Sequence, residues 1–508
     1  MSDVRTNAEL SEASTSGLRW VSVARIVAEL AMVGSMVVLA RLIPPSAFGM
    51  FAIAVIVQEL ATTLPSEGVG TALVQRASIG REHLQTGMAL GLLIGAALAG
   101  LAVALAAVVV RPVFGVETAK LVGVSGAWFF LGALTAPPTA VLRRRLDFRR
   151  LSILDVTNTL VRTMASVALA VAGLDAGALV IGNLAGVAAM CVLSLVFAPV
   201  PLPRLHRQAV RDLLAYGGPA SFACVCWAGF RNGDYAIVGA RLGAASAGLY
   251  WRGFQLAVEY QRKISLVMTT VAFPVLARAA GPEEMFAIRR RMVRLLTLVI
   301  FPLLVGLVLV APEVVPWIFG PAWRPAVLPT QILAGAGAAT VVIDSVGTVF
   351  MAEGRSRALL GFGVAHFLVY ISVVLVASNW GVTSVAVAAS GVHLVFVVVA
   401  YRMLLHGRPE PTLRFLWEDI SAATVGCVAM AALALPVELA LRSAGAPAAA
   451  HLLLVGAAGG IGYLGALRLW FAEAWADLLG LAQRVLPMGR LQALTRRRVP
   501  APAGRSAA

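Results

Sequence analysis

Read along the chain, apolar stretches long enough to cross a bilayer alternate with short punctuation by Arg, Pro and Gly. A hydrocarbon core about 30 Å thick takes roughly 20 apolar residues of helix. Runs of that kind fall near 18–40, 47–71, 84–110, 119–141, 151–173, 177–199, 213–240, 246–272, 293–312, 327–351, 358–379, 382–405, 417–439 and 449–470. The pattern predicts an all-α, polytopic membrane protein of about fourteen transmembrane helices. Past the last run, residues 471–486 (FAEAWADLLGLAQRVL) read as an amphipathic interfacial helix stopped by Pro487.

The charges between the runs set an orientation. Loops after even-numbered runs carry twenty arginines, including Arg76 and Arg81, the cluster Arg143, Arg144, Arg145, Arg149 and Arg150, and the group Arg289, Arg290, Arg291 and Arg294. Loops after odd-numbered runs carry seven basic residues: Arg41, Arg111, Lys120, Arg241, Arg252, Arg324 and Arg442. Basic residues collect on the cytoplasmic side, so the even loops and both termini are expected there. Composition agrees: of 508 residues 59% are hydrophobic and 13% charged, and mean hydropathy is +0.86. The net charge of +16 then belongs to membrane orientation and does not point to nucleic acid.

The outward loops are short and hold few acids, which leaves no place for a catalytic carboxylate constellation, and an enzyme is not expected. No Walker A sequence is present, and nothing calls for a cofactor or metal. Cys224 and Cys226, two apart on a helix, point to different faces and cannot share a metal ion. With Cys191 and Cys427 they read as structural cysteines in apolar runs. Residues 1–17 are polar and of mixed charge, and the apolar run from Leu18 is too long for a cleaved signal.

An internal repeat organises the runs. ARLIPPSAFGMF (40–51) aligns with ARLGAASAGLY (240–250) after one deletion, and VGTALVQRA (69–77) falls opposite VAFPVLARA (271–279). The first two runs thus match the seventh and eighth, with Arg41 falling on Arg241. Six being even, the halves keep one orientation and are expected to be parallel repeats about an axis along the membrane normal. The expected organisation is an N-terminal tail (1–17), an N-lobe (18–200), a C-lobe (201–405), two appended helices (406–470) and a cytoplasmic amphipathic and basic tail (471–508). That is the plan of an alternating-access carrier.

These stretches carry a resemblance. ARLIPPSAFGMFAIA (40–54), GVGTALVQR (68–76), RNGDYAIVGARLGAASAGLYWRGFQL (231–256) and FPVLAR (273–278) resemble the polysaccharide transporters, the Wzx-type O-antigen and exopolysaccharide flippases of the multidrug/oligosaccharidyl-lipid/polysaccharide exporter superfamily. The likeness covers roughly the first 350 residues; the last helices match in hydropathy only. It implies a two-lobed flippase of the bacterial inner membrane that moves undecaprenyl-diphosphate-linked oligosaccharide outward for lipopolysaccharide or exopolysaccharide biosynthesis, by ion-coupled alternating access. The implied partners are the lipid-linked oligosaccharide, membrane lipids, a glycan polymerase and chain-length proteins. A cation-coupled multidrug exporter and a lipid II flippase are the alternatives within the superfamily. A non-transporting scaffold of polysaccharide assembly is the alternative from another class.

Ionisable residues inside spans are costly and therefore candidates for a cavity-facing role. The first run carries Ser22, Arg25, Glu29 and Met32 on one helical face, and the second carries Gln58, Glu59 and Glu67. The fifth carries Asp155, Asn158 and Arg162, the seventh Arg231, Asn232 and Asp234, the eighth Glu259, Arg262 and Lys263, and the tenth Asp344. Given the substrate that the resemblance implies, Arg25, Arg162, Arg231 and Arg262 are the candidate anion contacts, because guanidinium binds phosphate and carboxylate bidentately. Arg25 with Glu29 and Arg231 with Asp234 are also spaced to neutralise each other as intrahelical pairs. Glu29, Glu59 and Asp344 are candidate ion-coupling carboxylates. His366 and His393, mid-span, read as packed histidines or as proton relays. Gly87, Gly91 and Gly95 offer a close-approach surface, and Pro65 and Pro137-Pro138 are expected kinks.

Overall fold

The computed structural model describes residues 27–76, 78–276, 278–279, 281–406 and 411–485. Among these there is no strand. The helices, in chain order, are α1 (27–42), α2 (Pro45–Pro65, continued through Ser66–Gly70 and Thr71–Gln75), α3 (Arg81–Phe114), α4 (Val116–Arg144), α5 (Phe148–Val171) and α6 (Asp175–Phe197). Next come α7 (Arg207–Phe254), α8 (Tyr260–Leu276), α9 (Pro282–Phe319), α10 (Val327–Ala352), α11 (Ser356–Ala377) and α12 (Val382–Leu404). The last are α13 (Thr412–Ser443), α14 (Ala448–Trp470) and α15 (Ala472–Val485). Among the described residues nine helices are long and apolar enough to cross a membrane. The helices outside that set include α5, α7 and α8, which carry charges within their runs.

Two boundaries differ from the sequence expectation. The seventh run and the start of the eighth form one element, α7, broken only at Gly243, whose φ of 83° and ψ of 170° suit glycine alone. α9 begins eleven residues before the expected run, at Pro282, so Arg289, Arg290, Arg291 and Arg294 are helical and not in a loop. The reason is their acids. Arg289 Nη1 donates to Asp419 Oδ2 at 2.7 Å, with both side chains fully buried, and Arg290 meets Glu418 at 2.8 Å. Arg291 and Arg294 reach Asp477 at 3.1 and 3.3 Å, and Arg294 reaches Glu473 at 2.9 Å. These pairs tie α9 to α13 and α15. Trp475 and Leu478 of α15, with Phe471 just before it, pack onto a cluster with Leu298, Cys427 and Tyr463.

Small residues set the closest helix contacts. Gly91 lies on Ala133 and Gly95 on the Phe129 carbonyl, so the glycine spacing of α3 serves its packing on α4. Hydroxyls within spans bond back to their own helix, as Thr135 to the Leu131 carbonyl at 2.6 Å and Thr330 to that of Ala326 at 2.7 Å, which satisfies them where no water is available. Cys191 and Cys427 are buried and free; the Cys224 and Cys226 side chains lie outside the description.

The chain divides into two compact units. The first runs to Phe254 and adds Val315–Thr330 and Phe367–Ala389; the second holds Gln255–Val314, Gln331–His366 and Ser390 onward. The first unit thus includes the turns α9–α10 and α11–α12. Tight turns use positive-φ glycine at Gly115, Gly173, Gly320, Gly354, Gly381 and Gly445, and Gly243 does the same inside α7. The connection at 198–206 is longer.

Candidate functional site

Within the first unit, polar side chains from five spans are paired across helices. Glu59 of α2 accepts from Asn232 Nδ2 of α7 at 2.7 Å, and Gln58, one position earlier, donates to Asn183 Oδ1 of α6 at 3.4 Å. Arg162 of α5 faces Glu29 of α1. Its stem lies against Gly186 of α6, where any side chain would collide with Arg162 Cβ and Asn158. In a bilayer such groups are retained only where partners or an aqueous cavity compensate them.

Two residues beyond Glu59's partner, Asp234 is buried at 1% exposure. Its carboxylate accepts from Tyr370 OH at 2.8 Å, Tyr250 OH at 3.0 Å and the Tyr235 amide at 2.9 Å. The expected intrahelical partner of Asp234, Arg231, has its side chain outside the described residues, as does Glu67. Arg25 lies outside them altogether.

The second unit holds the remaining candidates. Arg262 stands 3.4 Å from Glu259, and Asp344 faces Arg262 and Ser265. Lys263 lies 5.3 Å from the Tyr260 ring. His366 and His393 meet edge to face with ring centroids 4.9 Å apart, and His366 stacks on Phe396 at 4.4 Å. The four arginines chosen from the sequence are therefore not seen as one group: Arg162 belongs to the first unit and Arg262 to the second.

Near the start of α2, α2 and α7 of the first unit approach backbone to backbone. Gly49 of α2 presses on the Ala244 carbonyl, and its repeat-mate Gly248 presses on the Pro45 carbonyl, so two backbones meet reciprocally with no side chain between them. Around this contact Arg41 donates to the carbonyls of Trp317 and Ile318 at 2.5 and 2.9 Å, and Arg241 to Asn379 at 2.9 Å. Trp323 Nε1 donates to the Ala40 carbonyl at 2.9 Å.

Arg252, counted from the sequence as a loop residue, sits on α7 at 2% exposure. It is boxed by the rings of Phe48, Trp251, Phe319 and Trp323 at 4.7 to 5.5 Å. A guanidinium over several aromatic faces is favoured electrostatically when it is desolvated.

Sequence reasoning missed this box and the tyrosine pair on Asp234. A signal was present for both tyrosines, since a tyrosine inside a span needs an acceptor for its hydroxyl, but their shared acceptor depends on α11 lying beside α7.

The profile of the family described as polysaccharide biosynthesis protein matches residues 38–328. The chain is 23% identical over 405 residues to the lipopolysaccharide biosynthesis protein WzxC of Escherichia coli K12, covering 78% of this chain and 82% of that protein. It is 25% identical over 423 residues to the teichuronic acid biosynthesis protein TuaB of Bacillus subtilis 168, covering 81% and 86%. Its fold is that of the lipid II flippase MurJ in an inward closed conformation, with a TM-score of 0.70 at 14% identity over 89% of this chain and 99% of that one. With the family profile spanning more than half of its length, the chain is a multi-pass membrane protein belonging to the polysaccharide biosynthesis protein family.

Proposed function

We propose that the chain is a flippase that carries undecaprenyl-diphosphate-linked oligosaccharide across the bacterial inner membrane for surface polysaccharide biosynthesis, by ion-coupled alternating access. One observation carries the reading: the repeat-mated helices of the first unit hold intramembrane charged and polar groups and meet at one end in the reciprocal contact of Gly49 and Gly248, which we read as a shut gate. A carrier caught with one gate closed has this form. Residues 18–200 and 201–405 are its two lobes, residues 406–470 its appended helices, and both termini are cytoplasmic, so the shut end faces outward.

In this reading Arg162, with Arg25, Arg231 and Arg262, offers guanidinium groups to the diphosphate and to acidic sugars. Glu29, Glu59 and Asp344 are the coupling carboxylates, and Asp234, held by two tyrosine hydroxyls, joins them. The chain moves its substrate without chemistry on it, and a glycan polymerase and chain-length proteins act on what it delivers.

The test is complementation of a deletion strain with Arg162→Ala and Arg162→Lys. Alanine is expected to abolish surface polysaccharide at normal membrane abundance and leave the lipid-linked glycan in the inner leaflet, and lysine to restore part of it, since charge is kept and bidentate geometry lost. Intact surface polysaccharide in the deletion strain, with raised sensitivity to cationic dyes, would instead establish a drug exporter.

Orientation has its own check, on a background with the four native cysteines replaced. Arg143→Cys is expected to react with an impermeant thiol reagent only in permeabilised cells, and Arg324→Cys in intact ones. The reverse pattern would invert the topology.

A further inference from the structure

A cavity of about 500 Å³ opens on the first unit where α2 passes to α3 and α4 to α5. Ile79, Leu84 and Val141 form its apolar wall, and Arg81, Arg144 and Arg145 its basic one. The three arginines do different work. Arg144 Nη1 donates to the carbonyls of Leu73 and Val74 at 3.1 and 2.9 Å and to that of Arg76, which caps the end of α2. The side chains of Arg81 and Arg145 are exposed and have no hydrogen-bond or ion-pair partner among the described residues.

Two of the neighbouring acids are already engaged. Asp212 pairs with Arg76 at 3.1 Å and meets His83 at 3.4 Å. Asp147 accepts the Arg150 amide at 3.1 Å and pairs with its side chain at 3.5 Å. Glu82 is exposed beside Arg81 and is not part of the wall. Two uncompensated guanidinium groups therefore stand over an apolar floor, with the first turn of α3, the positive end of its dipole, in the same wall.

Next to Arg145, Leu146 is the single described non-glycine residue with positive φ, 55°, and is 45% exposed. It is held there by the close of α4, where the Leu146 amide donates to the Arg143 carbonyl at 3.1 Å and the Asp147 amide to that of Leu142 at 3.0 Å. An aliphatic side chain thus stands exposed, next in sequence to Arg145, in a conformation that favours Gly or Asn.

We infer that this cavity binds the phosphate-bearing headgroup of a membrane amphiphile, with Arg81 and Arg145 on the phosphate and Ile79, Leu84 and Val141 on the first carbons of its chain. It shares no residue with the intramembrane groups assigned to translocation, and it rests on the proposed function only for the presence of the membrane. A phosphodiester of bulk lipid and the diphosphate of a polyprenyl carrier offer the same chemistry, and the two arms of the test separate them.

The full-length protein in dodecylmaltoside is titrated with dioleoyl phosphatidylglycerol and, separately, with farnesyl diphosphate, and bound ligand is read by native mass spectrometry. The charge-matched variants are R81A/R145A and R357A/R402A, with Arg144 left intact so that α2 keeps its cap. Loss of two charge-assisted contacts is expected to weaken binding about tenfold or more in R81A/R145A, with R357A/R402A equal to wild type. A loss confined to phosphatidylglycerol assigns the site to bulk lipid, and one confined to farnesyl diphosphate, or common to both, to a site that accepts the carrier. Undiminished binding in R81A/R145A, or an equal loss in R357A/R402A, overturns the inference. Because the readout is binding and not export, either result leaves the flippase reading to its own test.

Discussion

Asp419→Ala will destabilise the protein more than any other single substitution among the ion pairs described. Asp419 takes a hydrogen bond from Arg289 Nη1 and another from Tyr401 OH, both at 2.7 Å, and stands 3.3 Å from Arg290 Nε. Arg289 is fully buried, with its guanidinium 4.7 Å from the centre of the Tyr401 ring. Removal of the acid strands that cation where neither water nor another carboxylate compensates it. Breaking a buried pair from one side costs about 3–5 kcal/mol. The expected result is a lower thermal midpoint in detergent and reduced membrane abundance. The double variant Arg289→Met/Asp419→Leu should recover most of the loss, because it removes the stranded charge and keeps the volume. A single variant with an unchanged midpoint would show that the pair is solvated after all.

The second large effect is expected at the shut end. A Cβ on Gly248 would overlap the Pro45 carbonyl and one on Gly49 the Ala244 carbonyl, in both cases backbone that no rotamer change can move away. Gly248→Ala should therefore wedge α2 from the second half of α7. Overpacking of this kind costs about 1–3 kcal/mol. Set against a conformational gap of a few kcal/mol, that shifts the closed and open populations by a factor on the order of ten.

The measurement is reaction of a cysteine at Ala40, buried at 4% exposure in the closed form, with an impermeant reagent applied to cells. The cysteine-replaced background is again used. Labelling should rise and export should fall. Gly34→Ala, whose Cβ meets nothing within 4 Å, serves as the control and should leave both unchanged. Closed-form labelling with normal export in Gly248→Ala would mean that the reciprocal contact is not the gate.

The spans were legible because a bilayer demands a long apolar run and the chain supplies it with few interruptions. The start of α9 was not, since Arg289, Arg290, Arg291 and Arg294 have the composition of a loop until Asp419, Glu418, Glu473 and Asp477 fold over them from more than a hundred residues away. The boundary in α7 depends on one backbone conformation, that of Gly243, which hydropathy does not register.

The site divides in the same way. Glu29, Glu59 and Arg162 stand out singly as charges in apolar surroundings, but the bond between Glu59 and Asn232 joins residues 173 positions apart. The choice of Tyr250 and Tyr370 for Asp234 likewise depends on packing that periodicity does not encode. Arg252 shows the converse error, because the positive-inside rule counts a basic residue as solvent-facing and an aromatic box can hide one.

The glycine turns and the long connection at 198–206 give the chain unequal room for added sequence. At Gly243 and Gly381 one residue in a glycine-only conformation reverses the chain between packed helices. An insertion there would have to unpick the helix on either side. The stretch 198–206 is anchored at its far end, where the Arg204 amide donates to the Gln85 carbonyl and the His206 amide to Thr86 Oγ1. Ahead of those anchors Leu202 is 82% exposed. Epitope tags, fluorescent reporters and lineage-specific insertions therefore have a tolerated address after Leu202 and none at the glycine turns.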